Sequence, residues 1–555
     1  MISLAPAEQN HRTNRAPRGG WHEACAVVIV SAILASVFTY PIAFKLGRVG
    51  RVDNGDGQLS IWNVAWVAHA LAVDPLRVFD ANIFYPHRRT LAYSENNLGA
   101  GALAAPVYLA TRNAYAAHNS AVLLSFILTA TGMYYLVRYL TRDRRAAAMS
   151  AIWFAFCPYI FARTAHIQLL MTAGLPFSML AFHRMADRGT PGRGAALGVA
   201  MAAQALCCGY YGIFVILMVG VAIVVVAFTR RLWADTRYWM AIGVAAVVSI
   251  GLVVPAYVPY IAMRRDTGFH RVIGETVRYS ANWSSYLASS SFAHVWLLPY
   301  LPKWTDVLFP GGLVTIFGVT GLSIARGRRS ELALLYGGLA ATAFWTSFGP
   351  SAQLYTALYA IVPVFAWLRV PSRFGLIVVF GLAVLAGFAV SEWLARVRRP
   401  ALALTMLGLF AGSELFVRLN IPDVPPVQPV YRTLAALPPG AVIEMPFFYP
   451  EVGLHQHTKY MLASTSHWMP LVNGYSDYIP PDFLANVHTL APFPSRDAFK
   501  ILEPNRVRYA VFHMYGYNTE NRRDVLGRLK EFEAYLRPLY DDGEARLYEI
   551  VGSPP

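Results

Sequence analysis

Residues 51–71 read RVDNGDGQLSIWNVAWVAHAL. The opening DNGDG is turn chemistry, since Asn, Asp and Gly all tolerate tight backbone. The stretch Leu59–Leu71 behind it is amphipathic at helical spacing and carries Trp62 and Trp66, aromatics of the kind that sit at a membrane's headgroup level. Immediately before residue 51 lies an apolar segment, Cys25–Phe44, too long for a signal-peptide core and without a convincing cleavage site. It reads as a retained first membrane helix, so Asp53 and Asp56 follow a span closely and lie near the membrane surface.

Outward from there, apolar stretches of spanning length recur as far as about Phe416. Candidate spans fall at 119–141, 147–164, 169–186, 195–208, 211–228, 239–262, 311–326, 332–348, 375–394 and 401–417, about eleven in all with the first. Composition agrees. The 555 residues are 56% hydrophobic and only 14% charged, against about 25% charged in soluble domains. A soluble multidomain enzyme and a disordered chain are excluded. The four cysteines, Cys25, Cys157, Cys207 and Cys208, all lie in apolar segments, which excludes a disulfide scaffold.

The net charge of +16, from 47 Lys and Arg against 31 Asp and Glu, reads as topology rather than as an acidic partner. Arginines cluster at 142/144/145, 188/193, 230/231/237, 326/328/329 and 396/398/399, all on one side of the expected topology together with the N-terminal tail. The positive-inside rule makes that side cytoplasmic. Three non-membrane parts are then extracytoplasmic: a loop at 47–118, a loop at 263–310 and a tail from 419 to 555. The expected organisation is a cytoplasmic tail over 1–22, a multi-span all-α membrane domain over 23–418, and a small α/β domain over 419–555. The proline-rich IPDVPPVQPV (421–430) marks the last boundary. Within the tail, Ala441–Met445 and Tyr509–Phe512 read as buried strands, Arg522–Leu536 as an amphipathic helix and Ala545–Val551 as a final strand. The apolar piece 98–110 is too short to span and reads as interfacial or re-entrant.

Five stretches carry a resemblance: GDGQLSIWNVAWVAHAL (55–71), FDANIFYPHRRTLAYSE (79–95), FAFCPYIFARTAHIQLL (154–170), LRVPSRFG (368–375) and STSHWMPLVNGYSDYIPP (464–481). With the order of one span, an acidic pair, two helices along the membrane, many spans and an outer tail, the chain resembles the GT-C superfamily of polytopic glycosyltransferases. That superfamily includes protein O-mannosyltransferases, the aminoarabinose transferase of lipid A and the oligosaccharyltransferases. The resemblance implies transfer of a sugar from a polyprenyl-phosphate carrier to a lipid, glycan or protein acceptor on the outer face of a bacterial cytoplasmic membrane. Direct displacement at the anomeric carbon inverts it and needs a base for the acceptor hydroxyl. The resemblance maps that role onto Asp56 or Asp53, with Asp56 preferred because it lies in the GDG segment that carries the resemblance. Arg369 and Arg373 sit at the outer mouth of an expected span, and guanidinium groups suit a leaving phosphate. Arg163 and His166, at another outer helix end, could contact phosphate or sugar, and Tyr93 and Glu95 could line the site. A divalent cation is left open and no metal is assigned.

Other signals point elsewhere. His455 and His457 in HQHTK read as surface histidines, without the spacing or cysteines of a zinc site. Cys207–Tyr211 (CCGYY) reads as a packed helix junction. No GxxxxGK[ST] or GxSxG element occurs. The rival reading is a lipid or glycan transporter, or an assembly factor, without chemistry.

Overall fold

The computed structural model describes residues 20–268 and 272–555. Most of the expected N-terminal tail, with Arg12, Arg15 and Arg18, lies outside the described residues, as does Arg271. Among the described residues five helices are long and apolar enough to cross a membrane: Gly20–Phe38 (α1), Ala114–Thr141, Gly209–Thr229, Thr236–Thr267 and Pro371–Arg396. The other apolar segments form shorter helices, among them Gly174–Asp187, Pro191–Cys207, Gly312–Arg328 and Pro400–Leu415.

Local chemistry sets the boundaries. Helix α2, Gly55–Val73, starts at Asn54, whose Oδ1 accepts from Gly57 N at 2.8 Å. Helix α3 covers Leu98–Thr111. Helix α4, Ala114–Thr141, begins at Asn113, whose Oδ1 accepts from Ala116 N at 2.9 Å. Side-chain oxygens there satisfy amides that have no partner inside the helix. Helix α5, Arg144–Ala155, is capped in the same way by Asp143. Close helix contacts use small residues, as expected where lipid offers no competing hydrophobic gain. A Cβ on Gly194 would stand 2.1 Å from the Ala241 carbonyl oxygen, so Pro191–Cys207 lies backbone to backbone on Thr236–Thr267.

One end of the bundle is laced by ion pairs. Glu23 holds Arg138 (3.3 Å) and Arg144 (2.6 Å), and Arg230 bridges Asp187 and Glu331, both at 2.8 Å. These arginines belong to or border the clusters read from the sequence. The other end carries the long loops and the tail. The 32-residue helix Thr236–Thr267 is about 48 Å long, well beyond a hydrocarbon core of about 30 Å. Its last turns reach the first long loop: the Tyr260 hydroxyl donates to Ser94 O at 2.6 Å, and Asp266 pairs with Arg89 at 3.2 Å.

The tail holds a four-stranded sheet of β1 (Ala441–Met445), β2 (Val507–His513), β3 (Leu536–Asp541) and β4 (Ala545–Ile550), ordered β1-β2-β4-β3. β1 and β2 are parallel and the other pairs antiparallel. β3 was not expected: the sequence reading ran a helix to Leu536, but the helix stops at Glu531. Leu536 is its last buried residue and two exposed residues come after it, so as an edge strand it lacks the apolar alternation that betrays a strand.

Segment 470–473 stitches this sheet to the first long loop. Val442 N donates to Pro470 O (2.8 Å) on one side. On the other, Leu471 N donates to Asn82 O (2.9 Å) and Tyr85 N to Leu471 O (2.8 Å). One apolar core therefore runs from α2 and residues 78–93 into β1 and β2. This corrects the reading of α2 as a headgroup-level helix. Trp62 is buried and donates to Asn82 Oδ1 at 3.1 Å, and Trp66 donates to Val78 O at 2.8 Å. The membrane helices cover one side of α2 and the tail covers the other. His457 is corrected too. It is fully buried, bonded to Phe448 O (2.9 Å) and Asn473 (3.1 Å), while His455 stays exposed.

Candidate active site

The start of α2 is where the chain doubles back on itself. A Cβ on Gly57 would lie 2.0 Å from the Arg51 carbonyl oxygen, so only glycine lets the helix begin against residue 51. Asp56, in the first turn, is favourably placed near the positive end of the helix dipole. Its side chain is 55% exposed, and its Oδ2 stands 3.4 Å from His166 Nε2. The His166 imidazole is pushed below its usual range by burial, against the pull of Asp56 and with the help of the Arg373, Arg163 and Arg51 charges.

Asp56 and His166 face a cavity of about 260 Å³. Glu95 is on its wall, and its Oε2 accepts from Gly209 N at 3.2 Å, at the start of helix Gly209–Thr229. Burial raises the Glu95 carboxyl above its usual range, while that amide and the Arg373 charge pull the other way. Arg373 enters from Pro371–Phe374 with its guanidinium 4.6 Å from the Tyr210 ring centre. Among the described residues it makes no ion pair. Tyr210 also holds the backbone of that turn, donating to Val370 O at 2.5 Å. Arg369 lines the same cavity and pairs with Asp477 at 3.0 Å.

The structure thus brings Asp56, Glu95, His166, Arg369 and Arg373 together. It places three other sequence candidates outside the cavity lining. Asp53 is gripped by Arg51 through two contacts, 2.9 and 3.1 Å. Partial burial pushes its carboxyl up, but Arg51 outweighs this and holds it below the usual range. Arg163, only 7% exposed, pairs with Asp306 (2.5 Å), donates to Tyr159 O (2.7 Å) and lies over the Tyr159 ring. Tyr93 packs on Tyr478 with ring centres 5.1 Å apart, and burial pushes its hydroxyl up to about 12.

Sequence reasoning passed over several lining residues. Asn63 and Asn97 are buried, and the Oδ1 of each has no hydrogen-bond partner among the described residues, leaving two acceptors at the cavity. Asn63 had a signal, being a lone polar residue in the apolar run WNVAW. Tyr210 was read as part of a packing junction. Tyr475 and Asp477 come from the tail and close the cavity from above. Among the described residues no three His, Cys, Asp or Glu converge as metal ligands.

A second, larger space lies near the first. An apolar groove of about 1020 Å³ runs between α3, α4, Gly174–Asp187 and Pro191–Cys207. Arg184 and Arg193 lie at one end, Gly99 and Cys207 at the other. The latter are two and three residues along the chain from Asn97 and Tyr210 of the polar cavity.

No protein-family model matches the sequence, and no curated protein does. Solved structures are similar in arrangement. They include ArnT from Cupriavidus metallidurans in the apo state, at 15% identity and TM-score 0.48, covering 97% of this chain and 99% of that one. The same protein bound to undecaprenyl phosphate gives 14% and 0.42, covering 97% and 100%. The oligosaccharyltransferase of Archaeoglobus fulgidus gives 14% and 0.44, covering 94% and 72%. Both are GT-C glycosyltransferases. A likeness of this degree assigns no residue role in the present chain.

Proposed function

We propose that this protein is a membrane glycosyltransferase of GT-C type. It moves a sugar from a polyprenyl-phosphate carrier to an acceptor hydroxyl at the outer face of a bacterial cytoplasmic membrane. One observation carries the reading. An accessible carboxylate, Asp56, and a guanidinium that makes no ion pair among the described residues, Arg373, face one polar cavity, and an apolar groove is lined by residues close to its own along the chain. The groove suits the carrier's isoprenoid chain, and the cavity suits its phosphate and sugar. The arginine-rich end of the bundle is the cytoplasmic one on the positive-inside rule, which puts the cavity and the tail outside.

Asp56 takes the proton of the acceptor hydroxyl as its oxygen bonds to the anomeric carbon. The bond from that carbon to the phosphate oxygen breaks, and its electron pair leaves with the polyprenyl phosphate. The carrier thus passes from diester to monoester and gains charge, which Arg373, with Arg369 beside it, stabilises in a partly dry site. Inversion at the anomeric carbon follows from the single displacement. His166 orients the Asp56 carboxylate. The unpartnered amide oxygens of Asn63 and Asn97 accept from sugar hydroxyls. The two arginines supply the charge a divalent ion would otherwise bring, so turnover is expected to be unchanged by a chelator.

The test is release of polyprenyl phosphate by protein in lipid, given polyprenyl-phosphate sugars and membrane acceptors. Asp56→Asn is expected to lose about 10²–10⁴-fold in rate while keeping its fold and donor binding. No release by folded wild-type protein across a broad panel would favour a carrier or scaffold instead.

A further inference from the structure

Another cavity, of about 360 Å³, lies farther along α2. Trp66, on its wall, is one helical turn from Asn63 of the candidate active site, and Trp468 faces it from the tail. Both indole N–H groups are satisfied within the protein, Trp66 by Val78 O at 2.8 Å and Trp468 by Tyr108 Oη at 2.9 Å. What the two rings offer the cavity is therefore apolar surface. Their centres are 5.6 Å apart and nearly edge to face, and His69 stacks on Trp468 at 4.7 Å. Trp468 holds a φ of +55°, a region bulky residues avoid. Around this platform stand Asp74, Asp80 and Arg88. Asp80 uses Oδ1 on the Arg89 amide (2.9 Å), and among the described residues its Oδ2 has no partner. Arg88 makes no hydrogen bond or ion pair there either.

Apolar ring surface ringed by carboxylates and a guanidinium is the chemistry of a pyranose. Its C–H face packs on the indole, and its neighbouring hydroxyls donate to carboxylates and accept from arginine. The volume lies at the lower end of small-ligand sites, about 300–1,000 Å³. An extended peptide would need free backbone to pair with, yet segment 470–473 already pairs with β1 on one side and with 82–85 on the other. We infer that this cavity binds a sugar unit of a glycan chain. With both cavities lying between α2 and residues 468–477, the bound glycan is placed to present its end at the candidate active site. That it is the acceptor rests on the transferase reading; that a glycan binds does not.

The test uses full-length protein in lipid nanodiscs and short malto-, cello-, manno- and N-acetylglucosamine oligosaccharides, read by tryptophan fluorescence and calorimetry without donor. At least one is expected to bind saturably with Kd at or below about 1 mM. Trp468→Ala and, separately, the exposed pair Asp74→Ala/Arg88→Ala should weaken it at least about tenfold; if the first variant does not fold, the second decides. Asp56→Asn should bind as wild type does, so loss of turnover and loss of glycan binding are read apart. The proposal is overturned if no sugar binds at about 20 mM, or if binding is unchanged in the folded variants.

Discussion

At the residue scale, Arg373 and Arg163, two arginines beside helix ends, have different surroundings and different expected phenotypes. Arg373 faces the cavity and makes no ion pair among the described residues, so Arg373→Ala should lower kcat by about 10²–10³ with little change in thermal stability. Arg163 is locked to Asp306 and Tyr159. Arg163→Ala should instead leave a charge uncompensated in a half-buried setting, cost about 3–5 kcal/mol, and show as lost folded protein. Equal activity losses at equal stability in both variants would overturn this division. From sequence the two looked alike, because each is an arginine beside an apolar segment. What separates them is a carboxylate brought from 143 residues away, which no local pattern reveals.

At the scale of the element, α2 is the part most legible in the sequence, and its start is what carries the chemistry. DNGDG read as a turn; in the structure Asp53 and Asn54 make a bend, Asn54 caps the helix, and Gly55–Gly57 already belong to its first turn. The need for glycine at 57 was not legible, since it comes from the Arg51 carbonyl oxygen behind it. Gly57→Ala is expected to push the first turn away, cost about 1–3 kcal/mol and lower activity by moving Asp56. Normal activity with normal thermal stability would count against it.

His457 was misread for a related reason, because its burial comes from the way the tail folds around it, with Phe448 O and Asn473 as its partners. Burial pushes that imidazole down from 6.5 to about 4. Its neutral form is thus kept in the fold, while the unfolded chain takes up a proton below about 6.5. Stability contributed this way is complete above that value. It falls by about 3 kcal/mol as pH drops towards 4, then levels off. Hydrogen exchange of the β1 and β2 amides between pH 7 and 4 should show the loss, and His457→Gln should flatten it. A wild-type profile flat over that range would sink the assignment.

At the scale of the whole molecule, the tail is joined to the membrane part through apolar contact and shared backbone hydrogen bonds. Trp62, Val67, Ile83 and Phe84 are buried in the same core as Ile443, Met445 and Phe512. A chain ending at residue 418 would bare that surface and remove Tyr475 and Asp477 from the cavity. It should be recovered aggregated or inactive. Full activity of the truncated protein would show that the tail is dispensable and that Asp477 has no part in holding Arg369.

The sequence by itself determined the mostly helical, apolar character, the β1, β2 and β4 strands, and Asp56 in a polar stretch just ahead of an amphipathic helix. Each rests on near neighbours in the chain: runs of apolar residues, helical or strand periodicity, turn-forming residues. Tertiary structure alone decided which charged groups are free and which are tied up, that α2 is covered on both sides, and that the tail completes the cavity. These depend on partners far apart in the chain, such as Asn82 with Met469, 387 residues on, and Arg369 with Asp477, 108 residues on. Burial and charge pairing are properties of what surrounds a side chain in space, and composition along the chain carries no record of that.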